Sequence, residues 1–260
     1  RHTRCSRGSR GLGYVYKRQV PGGVLTRAGH SEAASDYARL AGLLPSAVIA
    51  DILTPEGMVA DSPALVEFAR KNKLKIGTIA DLIHFRMVNE RTIRRIREGT
   101  IDTDYGEFQL TAYRDQTAGE VHLAISRGTI VADEPTLVRV HVQAVMRDLV
   151  TSQVAERATW SMGKCLQQVA DNGRGVIVLL ARAEGPEQLL ASIDMALGVA
   201  APASTMTPDT YTTVGLGSQI LRDLGVGKIH LMGAPIKYNA ISGFDLEVLD
   251  FVNPGEGKET

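Results

Sequence analysis

The stretch Arg27-Ala28-Gly29-His30-Ser31 sets a guanidinium, an imidazole and a hydroxyl close together, just ahead of an alanine-rich run that reaches Leu43. Ala34, Tyr37, Ala38 and Ala41 share one helical face, Gly42 is placed to stop the helix, and Ser31 is a fitting N-cap. The open amides and positive dipole end of such a helix would face Arg27, His30 and Ser31, an arrangement suited to a phosphate. His30 could instead serve as a metal ligand or proton carrier. A plain cap, a solvated arginine and a satisfied loop histidine form the third reading. Spacing alone favours that one.

The elements around this stretch read as alternating strands and helices. "GGVLTR" (Gly22–Arg27) is a short extended run, "SAVIADIL" (Ser46–Leu53) a buried strand, and "TPEG" a turn. "DSPALVEFARKN" starts a helix with Ser62 as cap and Pro63 at its first position. "KLKIGTI" (Lys73–Ile79) returns as a strand, and Ala80 onward is helical into "VNERTIRRIREG". The polar, glycine-punctuated "REGTIDTDYGEF" reads as a domain boundary. Beyond it "GEFQLTAYRD", "EVHLAISRG" and "TLVRVHVQAV" alternate as antiparallel strands. "MGKCLQQVADNGRGVIVLLARAEG" and "TVGLGSQILRDLGVGKIHLMG" each run from helix to buried strand. The fold class expected is α/β (α+β): a partial α/β domain followed by a mixed-sheet α/β domain.

Composition narrows the function classes. The 260 residues carry 29 Lys+Arg against 29 Asp+Glu, so no global field argues for nucleic acid or a membrane. Two cysteines, Cys5 and Cys165, imply no disulfide framework, and no run is long enough to span a bilayer. A soluble cytoplasmic protein is expected. Residues 1–19 are basic, lack acids and show no periodicity, so a foreign leader joined to a truncated domain is the expectation there.

"GGVLTRAGHSEAASDYARLAGLLPSAVIADIL" together with "KIGTIADLIHFR" resembles the C-terminal part of 3,4-dihydroxy-2-butanone 4-phosphate synthase. That family converts ribulose 5-phosphate to a four-carbon riboflavin precursor and formate, using magnesium (or manganese). The resemblance implies that Arg27 and Ser31 hold the substrate phosphate, Ser31 replacing the usual threonine, and that His30 binds the metal. The family's catalytic glutamate falls on Asp51. A carboxylate one methylene short is held back by more than ~1 Å, and a misplacement of that order costs ~100-fold in rate. The family's acidic loop, which supplies the second metal ligand, has no match before Val20.

The segment from Thr103 to Pro254 resembles GTP cyclohydrolase II through "DYGEFQLTAYRD", "TLVRVHVQAV", "NGRGVIVLL" and "GLGSQILRDLGVGKIHLM". The family's zinc is held by a cysteine after an "RVH" strand and by a C-x-C pair. Ala144 takes the first position, and "VAERA" (Val154–Ala158) holds no cysteine. Cys165 reads as a buried structural thiol, and His141 alone makes no zinc site. Zinc is therefore not expected. Of the nucleotide site, Arg182, Glu184 and Lys237 remain, while Pro186, Thr210, Thr212 and Val214 replace an arginine, an aspartate, an arginine and a tyrosine.

The domains expected are a leader at 1–19, the synthase-like part at 20–97, a linker at 98–104, a cyclohydrolase II-like domain at 105–254 and a tail at 255–260. The leading functional expectation is riboflavin biosynthesis through the synthase reaction, beside a cyclohydrolase-like module without zinc or catalytic residues. The alternative is a non-catalytic scaffold or regulatory partner of riboflavin-pathway enzymes. GTP cyclohydrolase activity proper would require a different zinc site. A homodimer, or association with pathway enzymes, is expected, without nucleic acid or membrane.

Overall fold

Seven strands form one mixed sheet in the computed structural model, which describes residues 22–150, 160–181, 184–199, 208–233 and 243–254. The strands are β1 (Ile93–Thr103), β2 (Gly106–Asp115), β3 (Val121–Arg127), β4 (Thr136–Val142), β5 (Gly175–Leu180), β6 (Lys228–Met232) and β7 (Glu247–Val252). Their order is β1-β2-β3-β5-β4-β6-β7. The β1–β2, β2–β3 and β3–β5 pairs are antiparallel, whereas β5–β4, β4–β6 and β6–β7 are parallel. The expected α/β class with a mixed sheet is thus the one observed.

Alternation along β5 shows how the sheet is covered. Val176, Val178 and Leu180 join one core, packed by α3 (Ile79–Asn89) and α7 (Pro208–Asp223) through Ile83, Met87, Leu216 and Ile220. Ile177 points the other way, to α5 (Met162–Asn172), where Trp160, Cys165 and Val169 meet Leu137 and Met232. Period-2 side-chain direction makes one apolar run serve two layers. Gly128 (φ 74°) and Gly173 (φ 74°) take left-handed turns, and a Cβ on Gly128 would lie 2.6 Å from the Gly173 carbonyl. Helices α4 (Val145–Asp148) and α6 (Pro186–Ala196) lie beyond the carboxyl ends of β4 and β5. Among the described residues no helix is long and apolar enough to cross a membrane.

The N-terminal part departs from expectation. Gly23–Leu25 forms a single 3-10 turn, followed by α1 (His30–Leu40) and α2 (Ser62–Lys71). Ser46–Leu53, expected as a buried strand, and Lys73–Ile79, expected as a strand, lie outside the sheet, and Val48 is 99% exposed. Leu53 makes an isolated bridge to Val59. A parallel strand is stable only between neighbours that complete its ladder and cover its faces. Among the described residues no such neighbour flanks these runs.

Helix α3 stops at Asn89, and "TIRRIREG", expected to be helical, becomes β1. Residues 98–104, expected as a linker, form the end of β1 and the turn into β2, with Thr103 paired to Gly106. Exposed Arg94, Arg95, Arg97 and Glu98 charge this edge strand, which discourages pairing with another chain.

Candidate functional site

The Arg27–Ser31 turn is built by backbone before any side chain acts. The Arg27 amide donates to the Gly23 carbonyl (3.1 Å), and the Gly29 amide to the Arg27 carbonyl (2.8 Å). Gly29, not Ser31, is the N-cap of α1; it is extended (φ −125°, ψ 153°) and its carbonyl accepts from Ala33. The expected Ser31 cap is therefore displaced by two residues, because His30 already has helical geometry. On α2 likewise Asp61, not Ser62, is the cap, its side chain accepting from the Ala64 amide.

A buried ionic group anchors the turn from beneath. Asp36 of α1 accepts from the Val24 amide (2.9 Å) and from Arg86 Nη1 of α3 (2.9 Å). Arg86 Nη1 also donates to the Gly22 carbonyl (2.6 Å), while its Nε and Nη2 donate to Glu90 (3.0 and 2.7 Å). Burial pulls the Arg86 guanidinium down, but the bonds and charges of Glu90 and Asp36 outweigh it and hold its pKa above the ordinary value. The 3-10 turn, α1 and α3 are thereby tied at one point.

On this base Arg27 and His30 are exposed and Ser31 half-buried at the start of α1. The first amides of a helix lack intrahelical partners, so the turn joins positive dipole, guanidinium and hydroxyl on one exposed surface. Glu32, one turn in, is buried and accepts from Arg27 Nη2. Asp51 is exposed, in the stretch outside the sheet, and makes no ion pair among the described residues. A magnesium ion calls for several oxygen donors in near-octahedral array. No cluster of three His, Cys, Asp or Glu ligand atoms includes His30 among the described residues, so these residues alone do not complete such a site.

A second polar group lies at the carboxyl end of β4. His141 is buried, with Nε2 3.0 Å from both Asp148 carboxylate oxygens and 3.0 Å from Arg147 Nη2. Burial, aided by Arg147, pushes the His141 pKa down to about 4 against the opposing pull of Asp148. Burial would raise the Asp148 carboxyl, but Arg147, the Ala144 amide and His141 hold it well below the usual range. Glu184 is turned inward, accepting from the Val145 amide (2.9 Å) and Ser192 Oγ (3.4 Å), so its carboxylate braces α4 against α6. Arg182, Lys237 and Val154–Ala158 lie outside the described residues.

Cys165 packs in the α5 core, as expected, and burial pushes its thiol up to about 11, where it is a poor metal ligand. Ala144 offers no donor, and among the described residues neither His141 nor Cys165 belongs to a three-ligand cluster. Val214 and Arg139 are among the residues lining an apolar cavity of about 200 Å³ between α7 and the sheet.

Sequence reasoning overlooked Glu32, Asp36 and Arg86. Glu32 and Asp36 are four apart on the buried face of α1 with Ala33, and acids in an apolar stripe are the available signal. It also overlooked Asp115, Glu120 and His122 at the β2–β3 turn, whose ligand atoms lie within 4.8 Å of one another. His122 and Asp115 are buried, and Asp115 Oδ1 accepts from the Thr117 amide (2.7 Å).

Comparison with known proteins places this geometry. Residues 94–253 match the family model of GTP cyclohydrolase II. The chain belongs to the GTP cyclohydrolase II family. Residues 15–85 match the model of 3,4-dihydroxy-2-butanone 4-phosphate synthase, a match that begins inside the stretch expected as a leader. A Pseudomonas aeruginosa protein named 3,4-dihydroxy-2-butanone 4-phosphate synthase is 50% identical over 232 residues, 89% of this chain and 63% of the relative. The riboflavin biosynthesis protein RibBA of Aquifex aeolicus is 40% identical over 92% of this chain and 61% of its own length. The crystal structure of RibBX, described as a two-domain 3,4-dihydroxy-2-butanone 4-phosphate synthase from A. baumannii, superposes with a TM-score of 0.71 at 40% identity. It covers 90% of this chain and 62% of that one. The chain thus spans about three-fifths of the length of these relatives. The seven-stranded sheet is the cyclohydrolase II-family part, and α1, α2 and the Arg27–Ser31 turn fall in the synthase match.

Proposed function

We propose that this chain carries the phosphate-binding turn of a 3,4-dihydroxy-2-butanone 4-phosphate synthase and serves riboflavin biosynthesis. The observation behind this reading is the Arg27–Ser31 turn, exposed at the start of α1 inside the synthase-matching segment. Arg27 and Ser31 hold the phosphate of ribulose 5-phosphate, joined by the helix dipole. His30 offers its imidazole to a divalent metal, magnesium or manganese, that the family's reaction uses. Asp51 stands in the place of the catalytic carboxylate and depends on further structure to bring it to the turn.

The cyclohydrolase II-family module is proposed to be without GTP cyclohydrolase activity. Its supports are Ala144 at a zinc-ligand position, the buried Cys165 thiol and the inward use of Glu184. Arg182 and Lys237 remain as nucleotide-site remnants. Homodimerisation through this module, in the cytoplasm, belongs to the same proposal.

Isothermal titration of the whole chain with ribulose 5-phosphate tests the first part. Binding by the wild type, lost in Arg27→Ala, is expected. Equal binding by the two proteins would remove Arg27 from the site. Metal analysis tests the second part, and stoichiometric zinc in the purified chain would overturn it.

A further inference from the structure

We propose that Glu32 is a positioning residue for the phosphate-binding arginine: it holds the Arg27 guanidinium at the mouth of α1. The inference rests on the phosphate reading above. Arg27 has a backbone pinned on both sides, through its amide to Gly23 and its carbonyl from Gly29. Its side chain is 55% exposed and would sweep a wide volume without a partner. Glu32 supplies that partner from a fixed place, since it is 5% exposed and sits in the first turn of α1. Glu32 Oε1 accepts from Arg27 Nη2, which leaves the other guanidinium donors available to a ligand.

Gly29 makes the arrangement possible. A Cβ at that position would lie 2.3 Å from Glu32 Oε2, and 3.7 Å from Arg27 Nε. The Gly29 backbone is ordinary extended chain, so the space beside Glu32, and not a special dihedral, is what glycine provides there. Glu32 Oε2 is itself buried with no hydrogen-bond partner among the described residues. A buried acceptor left unpaired is costly. The carboxylate therefore does not owe its place to its own hydrogen-bond satisfaction, and its one bonded oxygen is on Arg27.

Two effects of opposite sign compete. Glu32 pre-orders Arg27, which favours binding because the side-chain entropy is lost before the ligand arrives. Its negative charge opposes an incoming phosphate. Seated at the positive end of α1, that charge is partly offset by the helix dipole, so ordering is expected to dominate.

The test is titration of the full chain with inorganic phosphate, comparing wild type, Arg27→Ala, Glu32→Ala, Glu32→Gln, Glu32→Leu and Gly29→Ala, with thermal melts as folding controls. Glu32→Ala is expected to weaken phosphate binding about 10-fold, the order set by re-mobilising one long side chain. Glu32→Gln keeps an acceptor oxygen of the same reach and is expected to stay within about 3-fold of wild type. Glu32→Leu, which fills the space without an acceptor, is expected to fall with Glu32→Ala, a loss that a packing role would not show. Gly29→Ala, which keeps the carboxylate but crowds it, is expected to fall with Glu32→Ala. It decides the matter should Glu32→Ala fail to fold. Wild-type binding with Glu32→Ala and Gly29→Ala unchanged or tighter overturns the role of Glu32 alone. A wild type that binds no phosphate overturns the phosphate reading, and the role of Glu32 with it.

Discussion

Asp36 on α1 and Arg86 on α3, 50 residues apart in sequence, meet at 2.9 Å with both side chains 7% exposed and join the two helices. Asp36→Ala would leave the guanidinium buried with Glu90 as its remaining acidic partner, and the Val24 amide without its acceptor. Breaking a buried pair from one side is strongly destabilising, and a loss of about 3 kcal/mol is expected in urea unfolding. Asp36→Asn, which keeps an acceptor for the amide, should recover part of it.

Arg86 also holds the Glu90 carboxyl below its ordinary 4.5, against burial, with Arg39 adding to the effect. A carboxyl with a lowered folded pKa contributes stability that is full above the unfolded value and is lost as the pH falls through the folded one. Urea midpoints should therefore drop on acidification below about pH 4.5. Glu90→Gln should flatten that limb.

His141 acts in a higher window. Its folded pKa, near 4, lies below the ordinary 6.5, so between these values the unfolded chain takes up a proton that the folded chain refuses. Stability is then full above pH 6.5 and declines as the pH falls toward 4. Comparison of urea midpoints at pH 7 and pH 5 checks this, and His141→Gln should show a smaller difference than wild type.

The Cys165 thiol is buried among Trp160, Val169 and Ile177, and its pKa is pushed up to about 11. A protonated, inaccessible thiol does not react. Iodoacetamide at pH 8, followed by peptide mass analysis, should leave Cys165 unmodified in the folded chain and alkylate it fully in urea. Rapid alkylation under native conditions would contradict the packing.

Gln219 ties α7 to the end of α3 and to Thr92, just ahead of β1. Its Nε2 donates to the Met87 and Glu90 carbonyls (2.7 and 3.0 Å), and its Oε1 accepts from the Thr92 amide (3.0 Å). Gln219→Leu strands these backbone groups and is expected to cost about 1–3 kcal/mol, measured by urea unfolding. Hydrogen exchange should rise at the Thr92 amide, which loses its acceptor.

Much of the cyclohydrolase-family sheet was legible from local pattern. "GEFQLTAYRD", "EVHLAISRG" and "GVIVLL" alternate or run apolar at strand length, and glycines mark their turns, so β2, β3 and β5 followed from periodicity alone. "TIRRIREG" did not, because Ile93 and Ile96 fit helical spacing and its arginines and glutamate suit a helix. Pairing with β2 across Ile93–Thr103 overrides that preference. The candidate site was legible as a motif: Arg27, His30 and Ser31 are contiguous enough that a turn and a helix start present them together.

By itself the sequence determined which residue types cluster at that turn, which runs are apolar, and where glycine permits a bend, since these depend on neighbours a few residues away. Tertiary structure alone decided the rest. Asp36 becomes an anchor only because Arg86 arrives from α3, and Glu184 is spent on α4 only because Val145 lies against it. Ser46–Leu53 has the composition of a strand, but a strand exists through its ladder partners, and these lie in other parts of a fold.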